Sequence, residues 1–190
     1  MARPEATDSY TYEDYLSWDG EDRYELINGE AFLMASPSSE HQRILGEIAR
    51  QIGNFLDGKH CDIYPAPFDV RLFEGMEEPP AHVRTVVQPD ISVVCDKEKI
   101  DDRGCHGAPD FVIEILSPST LRMDRLLKFR LYQQAGVREY WIVDPRNRSV
   151  QVFLPTDEGI LHQVEEYLSQ DIARVHVLDG CFVDLGKVYR

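Results

Sequence analysis

Two carboxylates and an amine stand in positions that a folding chain rarely gives to charge. Asp90 follows Pro89 at the head of an apolar run that ends Val93-Val94-Cys95, and Glu114 is embedded in Phe111-Val112-Ile113-Glu114-Ile115-Leu116. Side chains alternate along a strand, so Glu114 shares a face with Val112 and Leu116 and projects into an apolar layer. A buried carboxylate left unpaired costs several kcal/mol, so it must be ion-paired, protonated or bound to metal. Alone, Glu114 reads equally well as half of a buried salt bridge. Asp90 tips the balance, because it heads what reads as a parallel neighbouring strand. Asp69, on the preceding candidate strand, is a candidate third ligand. Carboxylates that converge repel one another unless a cation sits between them. Oxygen donors with no Cys or His cluster beside them suit Mg2+ or Mn2+ better than zinc.

Lys128 completes the set. Asp124, Lys128, Leu131 and Ala135 fall at i, i+4, i+7 and i+11, one stripe of a helix that becomes apolar and aims the amine at the sheet. The plainer alternative is a surface pair between Asp124 and Lys128. A lysine beside a metal-bound water can orient that water, or help lower its pKa, for attack on a phosphodiester. His41 is in register with Leu45, Ile48 and Ile52, the pattern of a partly buried helix histidine, with a supporting site role as the second reading. Glu30 follows a turn, where a charge needs no special explanation, and is carried only as a supporting candidate.

These residues need elements to hold them. Asn28-Gly29 between Tyr24–Ile27 and Glu30–Met34 predicts a β-hairpin with a type I′ turn. Ser39 and Gln42 form a capping box, and the spacing from Ile44 to Leu56 predicts a helix that Gly58 ends. Phe68–Leu72, Val86–Cys95 and Phe111–Leu116 read as three strands, separated by loops at 74–85 and 96–109. Ser117–Thr120 supplies a break and an N-cap, and Leu121–Ala135 reads as a helix stopped by Gly136. Glu139–Val143, a turn at Asp144–Asn147, Ser149–Leu154 and later edge strands including Ala173–Leu178 complete one α/β domain with a mixed sheet. Within a single domain spanning 1–190, residues 1–22 form an N-terminal extension and the core runs from about 24 to 155.

The composition bounds the partners. At 43% apolar and 28% charged, the chain is one that folds. No run approaches the roughly 20 apolar residues of a membrane span, and the N-terminus lacks the apolar centre of a signal peptide. Cys61, Cys95, Cys105 and Cys181 are scattered, which suits a reducing, cytoplasmic setting and argues against a disulfide framework or structural zinc. The net charge of −14 counts against generic nucleic-acid binding. It is unevenly spread, however: between Ile115 and Val150, seven bases face three acids. Arg122 and Arg125 in that segment are candidates for contacts with backbone phosphates.

Five blocks in order carry a resemblance: Tyr24–Glu30, Val87-Gln88-Pro89-Asp90, Glu114–Thr120, Asp124-x-x-x-Lys128 and Gly136–Pro145. Together they resemble the Uma family of restriction endonucleases in the PD-(D/E)XK nuclease superfamily, over roughly Tyr10 to Leu185. The resemblance implies a restriction-endonuclease-like αβββαβ core with a mixed central sheet, the N-terminal β-hairpin and extra C-terminal strands. It places the metal-binding acids Asp90 and Glu114 on the second and third core strands. The superfamily's lysine normally stands two residues past the second acid, where this chain has Leu116, and the family is read as having moved it to the next helix, here Lys128. The implied activity is Mg2+- or Mn2+-dependent cleavage of DNA, duplex by expectation, by a homodimer. A catalytically inactive nuclease-fold module that binds protein or nucleic acid is the alternative, and the acidic charge favours it modestly.

Overall fold

Strand after strand is buried on both faces, so the sequence's continuous apolar runs become a sheet sandwiched between layers. The computed structural model describes residues 9–18, 20, 22–73, 79–117 and 123–190, apart from the side chains of 123–125. In chain order the elements are α1 (Tyr12–Leu16), β1 (Tyr24–Ile27), β2 (Glu30–Leu33), α2 (Ser39–Leu56), β3 (Asp62–Pro65), β4 (Val70–Arg71) and β5 (Val86–Val87). Next come β6 (Ile91–Val94), β7 (Ile100–Asp101), β8 (Gly104–His106) and β9 (Phe111–Ile115). A π-helical turn (Met123–Lys128) runs into α3 (Phe129–Ala135), followed by β10 (Glu139–Asp144), β11 (Ser149–Pro155) and β12 (Leu161–Leu168). β13 (Ile172–Val175), β14 (Cys181–Asp184) and α4 (Leu185–Val188) close the chain.

The central sheet has the order β12-β11-β10-β9-β6-β3, mixed because β9 and β10 run parallel while its other pairs are antiparallel. Strand parity sorts its side chains. Ile91, Val93, Phe111, Ile113, Ile115, Trp141 and Val143 pack with Ile44, Ile48 and Ile52 of α2. Val94, Val112, Tyr140 and Ile142 face the other way, toward Leu131 and Tyr132 of α3 and toward Ile27, Val70 and Val87 of a second sheet. That sheet has the order β2-β1-β5-β4-β8-β7. Reading α2, β3, β6, β9, α3 and β10 in sequence gives the αβββαβ order, but its first strand is β3, whereas the strand expected over Phe68–Leu72 is the short β4 of the second sheet. No helix among the described residues is long and apolar enough to cross a membrane.

Several expectations are borne out in detail. Asn28 and Gly29 both have positive φ, as a type I′ turn requires, and Gly136 caps α3 in the left-handed region. Others are corrected. The strand expected over Val86–Cys95 is two strands in two sheets, because Pro89 cannot donate to a ladder and the chain crosses between sheets at Gln88–Asp90. β6 lies antiparallel to β9, not parallel. The helix cap is Ser38 rather than Ser39, its side chain accepting from the His41 N–H. Part of the 96–109 loop is the β7–β8 hairpin. Cys61 and Cys95, expected as free thiols, face each other across β3 and β6 and form a disulfide. Within the N-terminal extension, Tyr12 of α1 is buried against Leu26, Val83 and Val86.

Glu139 lies wholly inside, accepting from Trp141 Nε1 at 2.7 Å and from the Val177 N–H at 2.8 Å. Glu139→Ala strands both donors, and urea unfolding is expected to show a loss of about 2–3 kcal/mol. Burial holds the Glu139 carboxyl above its ordinary value, so folding takes up a proton here. The wild-type advantage should therefore widen as pH falls from that raised value to the ordinary glutamate range. A pH-independent difference would contradict this.

Candidate active site

The antiparallel pairing of β6 and β9 brings the two acids together. Ile91 pairs with Ile113, so one step further along the register Asp90 stands opposite Glu114 at the end of the sheet where the chain crosses over. Asp90 is held at both oxygens. Oδ1 lies 2.9 Å from Nε2 of His41, and Oδ2 accepts from the Ile115 N–H at 2.7 Å. The Ser38 cap sets where α2 starts, and that start delivers the His41 imidazole to Asp90. The histidine expected to be a packing residue is thus a contact of the first acid.

Lys128 is 3% exposed, and its Nζ lies 2.8 Å from Glu25 Oε1 and 3.0 Å from Glu114 Oε1. It ends the π-helical turn, four residues before Tyr132, so amine and phenol share a helix face. The Tyr132 hydroxyl donates to the same Glu114 oxygen at 2.5 Å. Burial, and after it the charge of Glu114, pushes the Tyr132 phenol well above its ordinary range, so it stays a donor. Glu25 Oε1 also accepts from the Gln88 N–H at 2.8 Å, which ties the crossover to the ion cluster. Lys128 is buried against the sheet, as the helical stripe expects.

Asp69 is not brought to this pocket. Its carboxylate accepts from Tyr12, Tyr15 and Gln88, and burial holds its carboxyl above the ordinary value. It acts one layer back, through Gln88, whose side chain also meets Arg23. Glu30 is exposed on β2. Arg122 lies outside the described residues, as do the side chains of Asp124 and Arg125. The third carboxylate of the pocket is Glu25, buried on β1. The signal for it is that Glu25 interrupts an apolar strand, as Glu114 does.

Glu25, His41, Gln88, Asp90, Glu114 and Lys128 all line one pocket of about 220 Å³, with Arg23 at its margin. Among the described residues three carboxylates there, Glu25, Asp90 and Glu114, meet two fixed cations, Arg23 and Lys128, a surplus of negative charge while His41 is neutral. Hard oxygen donors with a negative surplus suit a divalent cation, with Asp90 and Glu114 as the adjacent pair. His41 is a donor that would also accept Mn2+.

A mixed sheet with α2 on one face and α3 on the other, with acids on its second and third core strands, has the restriction-endonuclease-like architecture. A crystal structure described as a putative nuclease belonging to DUF820, from Anabaena variabilis, superposes with a TM-score of 0.73 at 19% identity, covering 95% of this chain and 97% of that one. The uncharacterized protein slr1290 of Synechocystis sp. is 28% identical over 150 residues, 77% of this chain and 75% of that protein. Residues 12–184 match the Uma2 family, described as "Putative restriction endonuclease". The chain belongs to the Uma2 family.

Removing the amine alone should be costly. Lys128→Met leaves Glu25 and Glu114 facing each other with no cation between them, and chemical denaturation should register a loss of about 3–5 kcal/mol. Adding Glu25→Gln and Glu114→Gln should return most of it. A single variant as stable as wild type would show that the triad carries no such strain.

Proposed function

We propose that the chain is a metal-dependent endonuclease that hydrolyses phosphodiester bonds in duplex DNA, with Asp90, Glu114 and Lys128 as its catalytic residues. The observation that carries this reading is the convergence of Asp90 and Glu114 in one pocket, beside an amine that Glu114 already holds. Asp90 and Glu114 would hold Mg2+ or Mn2+, which when bound supplies Lewis acidity toward the phosphate and a water of lowered pKa. The residues of the chain do the rest. His41 and the Ile115 N–H keep the Asp90 carboxylate from rotating, so its lone pairs point one way. Lys128 sets a fixed positive charge where negative charge builds on the phosphate and orients the attacking water. Arg122 and Arg125, just ahead of Lys128 in sequence, are our candidates for holding the flanking phosphates. Because cutting both strands calls for two such sites, the active form is a homodimer.

Plasmid nicking in millimolar Mg2+ or Mn2+ tests the assignment. Asp90→Asn should lower the rate at least about a hundredfold while its unfolding midpoint stays near wild type. Mg2+ binding seen by calorimetry should disappear with it. Unchanged cleavage in a folded Asp90→Asn variant would reject the site. A wild-type protein that neither binds the metal nor cuts would instead be the binding module that the acidic surface favours. Sedimentation at micromolar concentration should show a dimer, and monomer alone would remove that part of the proposal.

A further inference from the structure

At the other end of β6 from Asp90 lies a cluster of soft ligand atoms. The register that pairs Asp62 with Val94 continues one step to set Cys61 opposite Cys95, where they are disulfide-bonded. His60 turns its ring back toward them, with Nε2 3.4 Å from Cys61 Sγ. The ligand atoms of His60, Cys61 and Cys95 all lie within 4.8 Å of one another. Cys61 is buried, Cys95 half-buried and His60 exposed, so the cluster opens to water on one side. Of the three, Cys61 lines a broad groove of about 790 Å³ whose wall also includes Lys59 and Asp62.

We propose that the reduced Cys61–Cys95 pair, with His60, is a binding site for a thiophilic divalent ion such as Zn2+, and that the disulfide is the oxidised, metal-free form of the same site. Tetrahedral zinc at about 2.3 Å from sulfur and 2.0 Å from nitrogen puts S···N near 3.5 Å and S···S near 3.8 Å. The S···N separation already meets this. Reduction meets the other requirement, since two sulfurs no longer bonded move apart to ordinary contact. A dithiol reductant delivers two electrons and two protons, breaking the S–S bond into two thiols and becoming a disulfide itself. The arriving ion then displaces both thiol protons to water and takes a solvent molecule in its fourth position. Neither Cys105 nor Cys181 competes, because burial pushes their thiols up to about 12 and about 11. The donor set is chemically the opposite of the oxygen-lined pocket at Asp90, and the proposal does not depend on nuclease activity. Either form fastens edge strand β3 to β6, the strand that Asp90 heads.

Full-length protein, reduced with dithiothreitol and desalted without air, is titrated with Co2+ as a spectroscopic stand-in for Zn2+. The expected result is a thiolate-to-cobalt charge-transfer band that saturates at one equivalent and is bleached by Zn2+. It should be absent from the oxidised protein and from Cys61→Ser and Cys95→Ser. It should persist in Asp90→Asn and in Cys105→Ser. His60→Ala, a change at an exposed position that leaves folding intact, should weaken binding by no less than the roughly tenfold that losing an outer-shell partner costs. Absence of the band from reduced wild type, its persistence in folded Cys95→Ser, or unchanged affinity in His60→Ala would each overturn the assignment.

Discussion

The structure turns on one buried amine shared by two carboxylates from different sheets. Lys128 meets Glu25 of β1 and Glu114 of β9, so a single ion cluster joins the hairpin sheet, the central sheet and the helix between β9 and β10. Removing these charges from water is expensive, and their mutual attraction offsets the cost only when the geometry is tight and the remaining lone pairs are used. Tyr132 and the Gln88 N–H use them. Apolar side chains of the same volume often fill such space at lower free-energy cost.

The crossover at Gln88–Asp90 makes the cluster and Asp90 neighbours. Pro89 ends one ladder and lets the next begin in a different sheet, and three consecutive residues then serve three purposes. Gln88 binds Glu25 through its backbone and Asp69 through its side chain, Pro89 breaks the strand, and Asp90 turns to His41 and the Ile115 N–H. Asp69 in turn holds Tyr12 and Tyr15, so α1 braces the site from behind. The superfamily's lysine position is filled here by buried Leu116, which packs in the α3-side core while the amine arrives from the helix.

Periodicity made most elements legible. The Asn28-Gly29 turn, the α2 stripe, the β9 and β10 runs and the Gly136 stop are local signals, each set by backbone sterics or by one buried face. Asp90, Glu114 and Lys128 were legible for a related reason, since charge inside an apolar pattern stands out against it. Glu25 was not, because a single charge in a four-residue strand is ordinary until another element covers it. His41 was underrated because helical spacing reports the face a residue occupies but not the group that face will meet. Asp69 was overrated because closeness along the chain does not say which way a carboxylate turns.

The sequence by itself determined the hairpin turn, the α2 stripe, the β9 and β10 runs and the presence of Asp90, Glu114 and Lys128 within apolar patterns, because these follow from local propensity and from the cost of burying charge. Only the tertiary structure decided strand direction, and with it whether Asp90 and Glu114 could meet at all. An antiparallel β6 carries the preceding Asp90 one step past the Ile91–Ile113 pair to Glu114, toward the end of β9, whereas a parallel one would carry it toward the start. The same holds for the Glu25 contact and for the Cys61–Cys95 pairing. Each depends on which distant segment supplies the neighbour, a long-range choice that no local pattern encodes.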